Sequence, residues 1–256
     1  MNYEMIFKRK SFHLFRDNKT RIYFSEYNHI TNEELDEIYR VFETFKPLDK
    51  DIKVKIKIVS NEFTTCKRGQ EYCILFYSEK KDNYLQNIGY LGEQLDLYLV
   101  SKNIGTLWFG VGKTELLKYH ELDFVTMMAI GKVPENMFRK DMFKSKRKPL
   151  EEIWQGDKYL MIANIVRFTP SSCNTQPWFV REENHQLLVY RYRKPGKRGI
   201  MPVDKVVYQN LIDMGIFIYF LKLCLNEYKI NHSIEVFNDS EINETELTLS
   251  SIISFK

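Results

Sequence analysis

Apolar residues recur along the chain with two periods, about 3.6 residues as in a helix and about 2 residues as in a strand, and these periods predict a mixed order of helices and strands. Apolar residues at helical spacing follow Thr31, and Glu34 stands three residues on as in a capping box, so we expect a helix over residues 31–45. Lysines alternate with apolar residues over 52–59, as on a strand with one wet face. The same reasoning predicts further helices over 84–102, 158–168 and 205–228, and strands over 72–77, 124–133, 178–181, 187–192, 233–237 and 246–254. These elements favour an α+β fold, with a mixed or antiparallel sheet packed on long core helices.

The segment at residues 169–178, TPSSCNTQPW, fits neither period. Pro170 and Pro177 fix the backbone and end the flanking elements, so the hydroxyls and amides between them are held on a stiff loop and can face a ligand. We interpret it as a binding loop. The alternative is a helix-to-strand connection in which Ser and Asn only cap and turn. Trp178, at the entry of a predicted strand, is expected in the core.

With an arginine and an apolar helix before it and a strand after it, this PSSxNxQPW loop resembles the ring-contacting loop of the nitroreductase family, whose members are FMN-dependent reductases. In that family the loop reaches across a subunit interface to a flavin held mainly by the other subunit. The resemblance implies that Pro170, Ser171, Ser172 and Asn174 lie beside the flavin ring, and that Gln176 braces the loop.

A second match lies near the N-terminus, where Arg9, Lys10 and Ser11 resemble the motif that grips the FMN phosphate in this family. A guanidinium fork and a hydroxyl suit phosphate oxygens. Family members often carry a second arginine where this chain has His13, which weakens the charge on the phosphate or leaves it to another residue. A basic N-terminal segment of this kind is, by itself, usually a solvated face.

The stretch from QNIGYLG at 86–92 to NIGTLWFG at 103–110 resembles the family's central helix and the glycine turn after it. This implies that a backbone N–H of Gly105 or Thr106 donates to flavin N5, where a glycine permits close approach of the main chain. The alternative is a buried helix that ends in a glycine cap. The following GVGKT is not a phosphate loop, because that motif requires glycine where Leu107 stands.

A basic stretch at 139–148 contains Arg147, within KRKPLEEI, which resembles the basic signature that returns a cation to the FMN phosphate. The stretch could also bind a dinucleotide phosphate or form a solvated linker.

An internal repeat accounts for the position of this signature in mid-chain. Gln86, Asn87 and Gly92 recur as Gln209, Asn210 and Gly215, since 209−86, 210−87 and 215−92 all equal 123. The FxP at 45–47 recurs at 168–170 with the same offset. We interpret the chain as two fused nitroreductase-like halves, 1–150 and 151–256, that form one pseudo-dimer.

The cofactor-binding motifs are divided between the two halves. The first half has RxS but no SSxN, and the second has PSSxNxQPW but no RxS. One complete site, and one FMN per chain lying between the halves, is therefore expected. A monomer is favoured, because an internal pseudo-dimer removes the usual reason for pairing, although a homodimer stays open.

Bulk composition sets wider bounds. The chain has 256 residues, 44% hydrophobic, enough for a core without disulfides or metal. Its four cysteines lack metal-ligand spacing, and its net charge of +4 with alternating lysines is not a nucleic-acid footprint. The longest apolar run, at 216–221, is too short to span a bilayer, and no signal-peptide pattern opens the chain. We expect a cytoplasmic protein without membrane or nucleic-acid partners.

The resemblance implies that NAD(P)H gives hydride to the flavin and leaves, after which a nitroaromatic, quinone or flavin acceptor takes the same space in a ping-pong reaction. No side-chain nucleophile is required. Two alternatives stay open: a flavin-binding protein without turnover, or a different reaction on the same flavin fold.

Overall fold

A computed structural model describes residues 3–194, 196, 199–240 and 245–256. The helices are α1 (Met5–Lys8), α2 (Asn32–Phe42), α3 (Tyr84–Ser101), α4 (Leu160–Val166) and α5 (Val203–Glu227). The strands are β1 (Val54–Ser60), β2 (Tyr72–Ser78), β3 (Ile104–Trp108), β4 (Lys118–Tyr119), β5 (Leu122–Lys132), β6 (Trp154–Gln155), β7 (Trp178–Glu183), β8 (Gln186–Tyr192), β9 (His232–Val236) and β10 (Leu247–Phe255). The predicted α+β class is confirmed.

Helix α2 begins at the predicted cap. The Thr31 hydroxyl accepts a hydrogen bond from the Glu34 N–H at 3.2 Å, and the Thr31 N–H donates to the Glu34 carboxylate at 3.1 Å. The helix ends at Phe42, earlier than predicted, and the Thr44 hydroxyl donates to the Val41 carbonyl at 2.7 Å. This bond satisfies one of the carbonyls that a helix terminus leaves without a partner.

The chain divides into two compact units. The first unit comprises Met1–Lys80 and Leu91–Met142, and the second comprises Lys81–Tyr90 and Phe143–Lys256. The sheet of the first unit has the order β1-β2-β5-β3, with β4 also paired to β5, and all its pairs are antiparallel. The sheet of the second unit has the order β6-β7-β8-β10-β9, and only its edge pair β6/β7 is parallel.

The two sheets share a strand order. Strands β1, β2, β5 and β3 correspond in position to β7, β8, β10 and β9. A shift of 123 residues carries β1 onto 177–183 and β5 onto 245–255, which nearly coincide with β7 and β10. Such agreement supports the inferred duplication, which stays a prediction, as does the division of the sequence at residue 150.

Helix α5 forms the core of the second unit, together with the first turns of α3. A side chain on Gly215 would overlap the Gln86 carbonyl oxygen, and one on Gly89 would overlap that of Ile212. Glycine is therefore required at both positions for the two backbones to approach this closely. Of the described helices, only α5 is long and apolar enough to cross a membrane, and 83% of its apolar 18-residue stretch is buried within the protein.

The predicted glycine turn after α3 is wrong. Asn103, with φ 56°, ends the helix in the left-handed conformation, and Gly105 already lies inside strand β3 opposite Gly131. Asparagine tolerates this conformation better than most residues, so it takes the place that a glycine cap would have had.

Candidate functional site

The residues predicted to bind FMN divide between the two units. The first unit contains Arg9, Lys10, Ser11, Gly105 and Thr106. The second contains the other predicted residues, which are Arg147, Pro170, Ser171, Ser172 and Asn174.

Arg9 lies in a buried polar cluster, with 4% of its surface exposed. Its Nε donates to the Asp96 carboxylate at 2.9 Å, and its Nη1 donates to the Ser11 hydroxyl at 3.2 Å. Glu93 lies beside the pair, with its carboxylate 3.7 Å from Nε. Among the described residues, Nη2 of Arg9 has no hydrogen-bond partner although it is buried. The structure thus brings Arg9 and Ser11 together, as the motif predicts, and adds two carboxylates.

The charges of this cluster are perturbed by burial and by each other. Burial alone would lower the pKa of Arg9, but Asp96 and Glu93 raise it by more, so the guanidinium stays charged. Burial raises the pKa of Glu93 well above its ordinary value, and the neighbouring Asp96 adds to the effect. Two acids thus face the one guanidinium of Arg9, and Asp96 accepts the direct hydrogen bond from it.

Gly105 and Thr106 lie on strand β3 next to the N-terminal segment. Thr106 forms a parallel bridge with Ser11, and its hydroxyl donates to Asp96 at 2.6 Å. A side chain on Gly105 would meet Phe12 at 2.7 Å and Val133 at 2.5 Å. Packing against these two side chains therefore accounts for the glycine within the first unit itself.

The loop predicted to contact the flavin ring has a strained backbone. Cys173, Asn174 and Gln176 have φ values of 49°, 56° and 49°, in the left-handed region that non-glycine residues rarely adopt. Pro170 is buried, Ser171 and Ser172 are partly buried, and Cys173 and Asn174 are exposed. Strain of this kind persists only where the surroundings over-determine the conformation, and it concentrates at ligand sites.

Asp213 of α5 holds one side of this loop. Its carboxylate accepts hydrogen bonds from the Ser172 N–H at 3.0 Å and from the Ser172 hydroxyl at 3.2 Å. The Thr175 hydroxyl lies 3.4 Å from the same carboxylate and donates to Asn210 at 2.8 Å. Burial raises the pKa of Asp213 to about 7, and the hydrogen bonds from Ser172 and Thr175 oppose this shift only in part.

Arg147 holds the other side. Its Nη1 donates to the Asn174 side-chain oxygen at 3.1 Å, and its Nη2 donates to the Phe168 carbonyl at 3.1 Å. The Gln176 N–H donates to the Ser171 hydroxyl at 3.0 Å, and the Gln176 side-chain oxygen accepts from the Lys148 N–H at 2.8 Å. Gln176 thus braces the loop as predicted. Arg147, which was predicted to return a cation to the FMN phosphate, contacts this loop in the second unit, whereas Arg9 and Ser11 belong to the first, and its role at the phosphate stays a prediction.

Sequence reasoning missed the acidic residues beneath both motifs. Glu93 and Asp96 lie three residues apart on the apolar helix α3, and Asp213 is a lone acid in the apolar stretch of α5. An acid within an apolar helix requires a charged or hydrogen-bonding partner when it is buried. An acid within an apolar helix was therefore the sequence signal for these residues, although the identity of each partner depends on the tertiary structure.

The residues present fit FMN in the chemistry of their donors. A buried guanidinium nitrogen without a partner among the described residues, Nη2 of Arg9, suits an anionic oxygen. The polar groups of the 171–174 segment, partly buried at Ser171 and Ser172 and exposed at Asn174, lie on a braced loop and suit the polar edge of a planar ring.

Comparison with known proteins was consistent with this interpretation. The family model described as "Putative TM nitroreductase" matches residues 2–224. A crystal structure of a putative nitroreductase from Thermotoga maritima resembles the chain with a TM-score of 0.60 and 19% identity, covering 99% of this chain and 93% of that one, and at this identity the likeness shows the fold alone. No curated protein matches the chain. Because the family model covers most of its length, the chain belongs to this nitroreductase family and is, at the family level, a nitroreductase-like oxidoreductase.

Proposed function

We propose that the protein is an FMN-dependent oxidoreductase that passes electrons from NAD(P)H to nitroaromatic, quinone or flavin acceptors. The observation that carries the proposal is the braced, strained loop at 170–177, whose exposed tip presents polar groups in a fixed conformation. Membership of the nitroreductase family supports the same conclusion.

In this proposal the chain's own residues bind and orient. Arg9 and Ser11 offer donors to the phosphate, and Ser171, Ser172 and Asn174 contact the edge of the ring. Asp213 and Arg147 keep the loop in one conformation before the ligand arrives, which lowers the entropy lost on binding. FMN, when bound, supplies the hydride chemistry, and the protein supplies orientation and electrostatics.

The first experiment is a titration of the purified protein with FMN, followed by addition of NADPH or NADH without oxygen. We expect saturation near one FMN per chain, because the sequence carries one RxS motif and one PSSxNxQPW motif. Bleaching of the flavin absorbance by reductant, and its return on adding a quinone, would support the oxidoreductase. A protein that takes up no FMN would contradict the proposal.

A matched pair of variants tests the loop. Asn174→Ala removes a polar group from the exposed tip, and we expect it to weaken FMN binding about tenfold, as for one lost hydrogen bond. Asn184→Ala is the control, because Asn184 has a similar φ of 48° in the exposed β7–β8 turn of the same unit. Both variants replace a left-handed asparagine by alanine, so equal losses of affinity would show that the loop tip does not contact FMN.

A second candidate, a flavin-binding protein without turnover, is favoured by one observation. The charge of Arg9 is balanced by Asp96, so this arginine attracts a phosphate less strongly than a guanidinium without an acidic partner would. The same titration separates the two candidates, since FMN that binds but stays oxidised with either nicotinamide would favour the second.

A further inference from the structure

Arg139 is held beside the N-terminal phosphate motif by a set of contacts within the first unit. Its backbone N–H donates to the Lys8 carbonyl at 3.0 Å. Two residues earlier, the Met137 carbonyl accepts from the Lys10 ammonium at 2.9 Å. The rings of Phe138 and Phe12 pack edge to face, with centroids 5.3 Å apart. Segment 137–139 therefore runs along segment 8–12 in a fixed register.

This register places a third cation next to Arg9 and Lys10. Arg9 is balanced by Asp96, whereas Lys10 bonds to a carbonyl and not to an acid. Among the described residues, no acidic side chain pairs with Arg139. Two partly buried cations are thus left without a counter-charge, and His13, where the family often has arginine, is exposed.

The electrostatics of the cluster agree with this geometry. Burial lowers the pKa of Arg139, and the positive charge of Arg9 lowers it further. Burial likewise lowers the pKa of Lys10, with a further contribution from Arg139. Like charges that repel each other in a partly desolvated place are stabilised when an anion binds between them.

We propose that Arg139, with Lys10, forms the phosphate-monoester site of this protein and supplies to the FMN phosphate the second cation that His13 does not. The inference rests on the proposed function for the identity of the ligand. It adds Arg139 and Lys10 to the donors that Arg9 and Ser11 offer to the phosphate.

The test compares Arg139→Gln, Arg139→Lys and the control Arg40→Gln, which removes one positive charge from an exposed position on α2. Affinities for FMN and for riboflavin, which lacks the phosphate, are measured by quenching of flavin fluorescence. We expect Arg139→Gln to weaken FMN binding by about 10- to 100-fold and riboflavin binding by less than about twofold. Arg139→Lys should recover part of the loss, because it keeps the charge without the fork.

Thermal melts without ligand separate binding from folding. Since no described acid pairs with Arg139, its replacement by Gln should leave the melting temperature of the free protein within about 2 °C of that of the control. If FMN affinity in Arg139→Gln equals that in Arg40→Gln, the inference is overturned while the proposed function stands. A variant in which only the NADPH-to-NADH preference changes would also overturn it, by assigning the site to the dinucleotide.

If the wild-type protein binds neither flavin, the proposed function fails. The anion site at Arg139 is then tested by adding the protein to inorganic phosphate and measuring the broadening of the ³¹P NMR line. Broadening by the wild type that is lost in Arg139→Gln and kept in Arg40→Gln would support an anion site. Equal broadening by both variants, or none by the wild type, would overturn it.

Discussion

Replacing Asp213 by asparagine would remove one buried charge beneath the 172–175 segment with almost no change of shape. The carboxylate is 1% exposed and accepts hydrogen bonds from the Ser172 N–H and hydroxyl. An asparagine keeps an oxygen for Ser172 and turns an amide towards the Thr175 hydroxyl. That hydroxyl can accept, because it donates its own hydrogen to Asn210.

The expected effect depends on pH in a definite direction. Burial raises the pKa of Asp213 from 3.8 to about 7, so the folded protein holds this proton more tightly than the unfolded chain. The stabilisation is full below the unfolded pKa and is lost as pH rises through about 7. At about 1.4 kcal/mol per pKa unit, the loss between about pH 5 and about pH 8 is on the order of 2.5 kcal/mol.

Urea denaturation of the wild type and Asp213→Asn at these two pH values measures the effect. The variant should gain about 2.5 kcal/mol of unfolding free energy relative to the wild type on going from the lower to the higher pH. Asp204→Asn, at an exposed acid in the first turn of α5, should show a change below about 0.5 kcal/mol. An Asp213→Asn difference that is the same at both pH values would refute the assignment of a buried, proton-binding carboxylate.

Three further predictions concern stability and reactivity. Gly215→Ala drives a methyl group into the Gln86 carbonyl, so urea denaturation should show a loss of at least about 2 kcal/mol. Cys173 is the exposed thiol among four free cysteines, so a chromogenic disulfide should titrate one thiol rapidly in the native protein and the others only after unfolding. Arg191→Met leaves the Asp239 carboxylate buried without its partner, and calorimetry should show a loss of about 3–5 kcal/mol.

Each of these has a matched control within the second unit. Asn226→Ala, at an exposed position of α5, should change stability by less than about 0.5 kcal/mol. Cys224→Ser should leave the rapid thiol titration unchanged, since that residue is buried. Lys194→Met removes one side of an exposed ion pair and should cost less than about 1 kcal/mol. A stability loss in Asn226→Ala or Lys194→Met as large as in its test variant, or a loss of the rapid thiol titration in Cys224→Ser, would refute the corresponding explanation.

Much of the secondary structure followed from local signals in the sequence. The capping residues at Thr31 and Glu34 located the start of α2, and the apolar stretches located α3 and α5 to within about two residues at each end. Trp178 is fully buried, as its place at the entry of β7 predicted. These features depend on neighbouring residues, which a sequence displays directly.

The errors and omissions involve residues far apart in the chain. Gly105 was assigned to a turn because the segment resembles the glycine turn of the nitroreductase family, yet its absence of a side chain is accounted for by Phe12 and Val133. The polar loop was identified, but its anchor Asp213 lies 41 residues from Ser172. Arg139 was one cation in a basic stretch until the fold set it beside Lys8, more than a hundred residues away. Local patterns hold no information on such pairings.

The glycine contact between α3 and α5 has a consequence for how the protein is made. Gln86 and Gly215 are separated by 215−86 = 129 residues, so the core of the second unit cannot close until α5 has left the ribosome. During that interval, the apolar side chains of Leu85 and Ile88, which are buried in the folded protein, lack the helix that packs against them. Non-local contacts of this kind slow folding and prolong exposure to aggregation. A fragment cut after Met142 would carry segment 81–90 without the helix that covers it, so this chain is expected to be produced whole.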